Sequence, residues 1–147
     1  MSTDTNAQAS AAIDKSAFYA MSYGLYLLTA SDGTRDNGCV VDATMQSAAS
    51  PAHITLSCMK QNFTPELIQE TGTFNLSILP DDTPLEYFRH FGVQSGRSVD
   101  KFASDSTGET NDLFSDMKRS ENGLLYDANS CGFISCKVVA TQDLGSH

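Results

Sequence analysis

A chain of 147 residues is the size of one domain, and burying about two-thirds of its unfolded surface supplies a core without disulfides or a structural metal. With 40% hydrophobic and 18% charged residues, and no apolar run near the roughly 20 residues of a membrane span, it reads as a globular domain of which no part crosses a membrane. The formal net charge of −9 opposes phosphate attraction and the few Lys and Arg form no dense block, which argues against nucleic acid as a partner yet allows an anionic cofactor held by a local field.

Residues 1–12 are small and polar, with neither the basic start nor the apolar stretch of a secretory signal, so a frayed tail is expected there and one domain over 13–147. A cytoplasmic, reducing compartment is the corresponding expectation. In it Cys39, Cys58, Cys131 and Cys136, which contain no Cys-x-x-Cys pair, are read as buried free thiols.

Ile13, Ala17, Phe18 and Met21 have helical spacing and Gly24 lies just beyond, which predicts a short helix. The apolar run 25–29 ends in the turn sequence Ser31-Asp32-Gly33. After it Cys39, Val41, Ala43 and Met45 alternate with Val40, Asp42, Thr44 and Gln46, predicting a hairpin whose second strand carries a polar face. Ile54, Leu56 and Cys58, then Phe74, Leu76 and Ile78, alternate with polar neighbours as half-buried strands do. Between them Thr64-Pro65-Glu66 offers an N-cap oxygen and a first-turn proline, and Thr83-Pro84-Leu85-Glu86 has capping-box spacing. Residues 105–112 predict a loop, and Ile134, Cys136, Val138 and Ala140 a last strand. Strands joined by short connections favour a mainly β antiparallel barrel with short helices over a doubly wound sheet.

No G-x-G-x-x-G, G-x-x-x-x-G-K-[ST], H-E-x-x-H or G-x-S-x-G occurs, so Rossmann-type nicotinamide binding and serine hydrolysis are set aside. Lys60-Gln61-Asn62-Phe63-Thr64-Pro65 puts an ammonium, an amide and a hydroxyl at the amino end of a predicted helix, where free N–H groups bind anions; a solvated surface charge fits the same residues. Asp42, Thr44 and Gln46 project from one strand face, which suits a ligand cleft and water equally. His53 and His90 have no Cys or acidic partner at metal-ligand spacing, and no metal is assigned.

Five segments occur in order: Ser22-Tyr23-Gly24-Leu25-Tyr26, Asp36-Asn37-Gly38-Cys39, Thr44-Met45-Gln46, Lys60-Gln61-Asn62-Phe63-Thr64, and Phe91-Gly92 followed by Ser95-Gly96-Arg97 and Lys101-Phe102. Together they resemble the flavin reductase-like domain, an FMN-binding split β-barrel, and within it the flavoredoxin and high-molecular-weight rubredoxin reductase domains of anaerobic bacteria. The resemblance runs from about Ser16 to the end. It implies FMN held near a homodimer interface, NADH or NADPH as hydride donor, and free flavin or a redox protein (rubredoxin-like or a flavoprotein) as acceptor. A non-enzymatic FMN electron-transfer module reduced by a partner protein is the alternative. Residue by residue, Lys60, Asn62 and Thr64 match the segment holding the phosphate. Asn37, Thr44, Met45 and Gln46 match the strand beside the ribityl chain and ring. Ser95, Gly96, Arg97 and Lys101 match a loop closing over the flavin, and His147 matches a Gly-x-His segment that in relatives precedes a further strand, so the barrel is expected to be shorter at its C-terminal end.

Overall fold

The computed structural model describes residues 12–103 and 112–147. Its centre is a four-stranded antiparallel sheet in the order β2-β1-β5-β8, formed by β1 (Tyr26–Ser31), β2 (Asp36–Val41), β5 (Thr73–Ile78) and β8 (Gly132–Lys137). Two hairpins stand apart from it, β3 (Thr44–Ala49) with β4 (Ala52–Leu56), and β6 (Met117–Arg119) with β7 (Leu125–Asp127). Helix α1 (Thr64–Thr71) follows β4, and α2 (Leu85–Phe88) continues as a π-turn over Arg89–Val93.

Period-two alternation in β1 sends Leu28 and Ala30 to one face and Leu27 to the other. The first face joins Cys39, Val41, Phe74 and Leu76 to Leu67 and Ile68 of α1, with Ile54 and Leu56 of β4 packed on its margin. Leu27 on the opposite face packs with Tyr87, Phe91 and Phe114. Leu27, Leu28 and Phe91 are each 0% exposed, and full burial of such side chains stabilises by about 1.5–3 kcal/mol apiece.

The structure corrects four local expectations. The alternation over 39–46 belongs to two strands: β2 ends at Val41, Thr44 N–H donates to Asp42 O at 2.9 Å, and β3 enters a different sheet. Strand β5 is covered on both faces, because its polar Asn75 and Ser77, both 0% exposed, bond the β6–β7 hairpin. Thr64 does not cap α1: Phe63 holds the N-cap position and Thr64 lies one place inside, its hydroxyl engaged across the fold, while Gly72 in the left-handed region (φ 73°) closes the other end. Thr83 likewise spends its hydroxyl on Pro80 O at 2.7 Å, and α2 begins after Pro84 with no side-chain cap.

The expected first helix is a 3₁₀ turn, Lys15–Ala20, capped by Asp14 and burying none of its residues, so no packed apolar face supports a longer α-helix. All four cysteines are free, but Cys39 alone is fully buried and Cys131 is exposed. Of the expected tail only residue 12 is described, and the expected loop at 105–112 falls outside the described residues except for Asp112, which opens a 3₁₀ turn. Among the described residues no helix is long and apolar enough to cross a membrane.

Candidate functional site

A cavity of about 290 Å³ opens between β2, the amino end of α1 and the segment 91–101. Its polar floor is Asn37, 1% exposed, whose Nδ2 donates to Thr64 Oγ1 at 2.8 Å. Asn37 Oδ1 is buried with no hydrogen-bond partner. Gly96 presses onto the same side chain: a Cβ built there would lie 2.2 Å from Asn37 Oδ1, so only glycine permits this approach.

The segment carrying Gly96 is held from three sides. Phe91 is sunk in the core. Arg35, from the β1–β2 turn, donates to Gly96 O and, at 3.2 Å, to Val99 O. Arg97 makes a bidentate pair with Glu66 of α1, with Nη1 2.8 Å from Oε2. Both guanidinium groups lie over the Phe63 ring, at 5.0 Å for Arg35 and 5.7 Å for Arg97. The hydrogen bonds from Arg97 hold the Glu66 carboxyl below its ordinary range.

Lys101 closes the far wall. Only 2% exposed, its Nζ donates to Gly38 O and Phe91 O, both at 2.8 Å, tying the segment to β2. Burial pushes its pKa down, and the neighbouring Cys39 partly opposes the shift. Cys39 is drawn down to about 7, first by a hydrogen bond from Cys58 and then, against the penalty of burial, by Thr64, the Lys101 charge and Asn62. Cys58 moves the opposite way, because it serves as donor to Cys39 and is itself half-buried.

The structure brings Asn37, Asn62, Thr64, Ser95, Gly96 and Lys101 to this cavity, while Arg97 is not among the lining residues and pairs with Glu66. It does not bring the other expected residues there. Thr44, Met45 and Gln46 lie on β3, with Met45 66% exposed and Gln46 bonded to Ala48 O. Lys60 pairs with Asp143 and donates its backbone N–H to Ser146 O, and His147 Nδ1 lies 2.8 Å from Ser146 Oγ. Among the described lining residues Lys101 is the one cation, and the rest of the wall is uncharged, with Phe63, Phe91 and Val93 set among polar side chains. Sequence reasoning missed Cys39, set aside as a core thiol, and Arg35, which nothing local distinguishes from a surface charge. Phe91 and Gly92 stood in the quoted motif but received no role.

The pattern described as the flavin reductase like domain matches residues 18–147. The chain belongs to that family. It is 36% identical over 136 residues to the high molecular weight rubredoxin of Moorella thermoacetica, a match covering 92% of this chain and 55% of that protein. To the NAD(P)H ferric-chelate reductase of Archaeoglobus fulgidus it is 29% identical over 136 residues, covering 92% and 75%. The FMN-binding protein of Thermus thermophilus with bound p-hydroxybenzaldehyde shares the fold with a TM-score of 0.74 at 19% identity, over 88% of this chain and 68% of that one. The chain therefore spans about half the length of the first relative and three-quarters of the second. The mainly antiparallel sheet with few short helices is the fold of this flavin reductase-like domain.

Proposed function

We propose that this chain is the flavin-binding unit of an FMN-dependent oxidoreductase, taking hydride from NADH or NADPH and passing electrons to free flavin or a redox protein. The observation that carries the reading is Asn37 Oδ1, an acceptor without a donor in the floor of a polar cavity at a helix amino end. Leaving such an atom unpaired costs about 1–3 kcal/mol, which a ligand hydroxyl or N–H recovers on binding. The residues fit FMN: Asn37 would accept from a hydroxyl of the ribityl chain, while Asn62, Ser95 and the Thr64 N–H at the start of α1 would donate to the phosphate. Bound there, FMN supplies hydride acceptance and electron release. The protein holds Asn37 through Thr64, keeps Gly96 against it through Arg35, and shields the cavity wall through the Lys101 bridge. Roles for Lys60, Thr44, Met45, Gln46 and His147 rest on family resemblance alone.

Titration with FMN and riboflavin tests the assignment. One or two charge-assisted bonds to the phosphate favour FMN by roughly tenfold to a hundredfold, and Asn62→Ala narrows the gap. Equal affinities would remove the phosphate site.

The electron-transfer module is favoured by one finding, that the rubredoxin-named relative is matched over 55% of its length, leaving room for a redox partner in the same chain. Anaerobic mixing with NADH or NADPH separates the two: an enzyme bleaches its flavin directly, a carrier only when its partner is added. A homodimer accompanies both readings, supported by β8 as an edge strand with Phe133 and Ile134 each 39% exposed, and is read by light scattering.

A further inference from the structure

We propose that His90 is a positioning residue of the cavity: it fixes the Lys101 ammonium and the wall segment before it where they meet the phosphate of a bound flavin, a role that rests on the phosphate contact proposed for this site. His90 sits in the π-turn Arg89–Val93, a geometry seldom used and often found beside functional sites. Its ring is set edge-on to Phe91 at 4.7 Å and stacked on Phe114 at 5.5 Å, which fixes the ring plane. Nε2 lies 2.6 Å from Lys101 O. A carbonyl only accepts, so Nε2 carries the proton and donates, and the neutral ring offers its Nδ1 lone pair to Gln94 Nε2 in a long contact of 3.5 Å.

The clasp is reciprocal. The side chain of His90 reaches the backbone of Lys101, and the side chain of Lys101 returns to the backbone of Phe91, its Nζ donating at 2.8 Å to Phe91 O and to Gly38 O. Bonds running in opposite directions thus tie the two ends of one segment together, and the residues between them, Gly92 to Gly96, line the cavity. Residues 92–95 are exposed and belong to no strand, so no sheet ladder holds them and their place is set from the ends and by Gly96 against Asn37. An ammonium has three protons; two go to the carbonyls, and the third is left for an acceptor in the cavity that Lys101 lines. Because Lys101 is the one cation among the described lining residues, its placement decides how well the site holds an anion. His90 itself is not a lining residue, so it acts through Lys101 and Gln94, both of which are. Removing its N–H leaves Lys101 O without a donor and unties the backbone that carries the ammonium from the π-turn.

The test compares His90→Phe, which keeps a ring against Phe114 but has no donor, with His90→Gln, whose amide N–H reaches about as far as Nε2. Flavin titration of the full chain should show FMN binding weakened by roughly tenfold in His90→Phe, the lower end for loss of a charge-assisted bond, with riboflavin binding changed by less than about twofold, and His90→Gln should recover most of the loss. In the ligand-free chain, amide hydrogen exchange over 95–101 should accelerate in His90→Phe and not in His90→Gln, while β1 stays protected. Equal losses for FMN and riboflavin, or a His90→Gln chain no better than His90→Phe, would make His90 a packing residue and overturn the proposal. Equal affinities in the unaltered chain would instead remove the phosphate contact, and the exchange comparison alone would then decide His90. If His90→Phe does not fold, nitrogen NMR of the unaltered chain decides: a proton held on Nε2 is expected, whereas a ring protonated on Nδ1 alone could not donate to Lys101 O and would overturn the clasp.

Discussion

Replacing Gly96 with alanine isolates the contact on which the cavity's shape depends. The added methyl would stand 2.2 Å from Asn37 Oδ1, 2.6 Å from Cγ and 2.7 Å from Nδ2, all far inside van der Waals contact. Gly96 is not among the glycines with positive φ, so backbone conformation adds nothing and the cost is steric. Asn37 cannot swing clear, since it is 1% exposed and tied to Thr64 at 2.8 Å, so either that bond breaks or the segment lifts and the Arg35 bonds to Gly96 O and Val99 O loosen. Forcing one methyl into a filled site costs about 1–3 kcal/mol and a lost hydrogen bond about 1 more, so Gly96→Ala should destabilise by about 2–4 kcal/mol in urea unfolding. The decisive measurement is a double-mutant cycle with Asn37→Ala, which removes the three clashing atoms. There Gly96→Ala should cost little, giving a coupling of about 1–3 kcal/mol. Costs that simply add would refute the argument, because the penalty would then come from somewhere other than the Gly96–Asn37 contact.

Two further outcomes follow from the buried polar groups. Lys101→Met keeps the length of the side chain but orphans Gly38 O and Phe91 O, and should lower stability by about 2–4 kcal/mol in urea unfolding; a loss below about 0.5 kcal/mol would mean that water replaces the ammonium. Asn75→Leu removes the bonds to Ser120 Oγ, Leu124 O and Leu125 O that fasten the β6–β7 hairpin, so amide hydrogen exchange over 117–127 should accelerate while β1 stays protected, and equal acceleration in both would show that the hairpin is held by other contacts.

How far the fold was legible in the sequence follows from the range of each signal. Leu76 and Ile134 sit in alternating runs and Leu28 in a compact apolar run closed by a turn, and the strands containing them were found because those signals are local. Strands β6 and β7, at three residues each, are too short to show a period, and nothing local marks Asn75 as a polar residue satisfied by a distant hairpin. The break after Val41 was invisible because alternation carries on through Asp42 and Ala43 while the chain changes sheets. In the site, Asn37, Asn62 and Thr64 were reached through the ordered resemblance, and Gly96 with them. What local pattern could not show is that Thr64 would turn its hydroxyl away from its own helix toward Asn37, or that Cys39 on β2 and Cys58 beyond β4, nineteen positions apart, would pack against one core cluster. Both depend on how elements dock, a long-range outcome that spacing does not encode.

The strand order β2-β1-β5-β8 also bears on how this chain comes off the ribosome. Strands β1 and β2 are near neighbours and can pair at once, but β5 joins β1 only after both hairpin β3–β4 and α1 have been made, and its other edge waits for Gly132–Lys137. Until those residues emerge, the central strand of the finished sheet is an open edge. Pairing over such separations is slow because the loop must close before the contact repays it, which makes the interval before β8 docks the period when the nascent chain is most exposed to wrong partners.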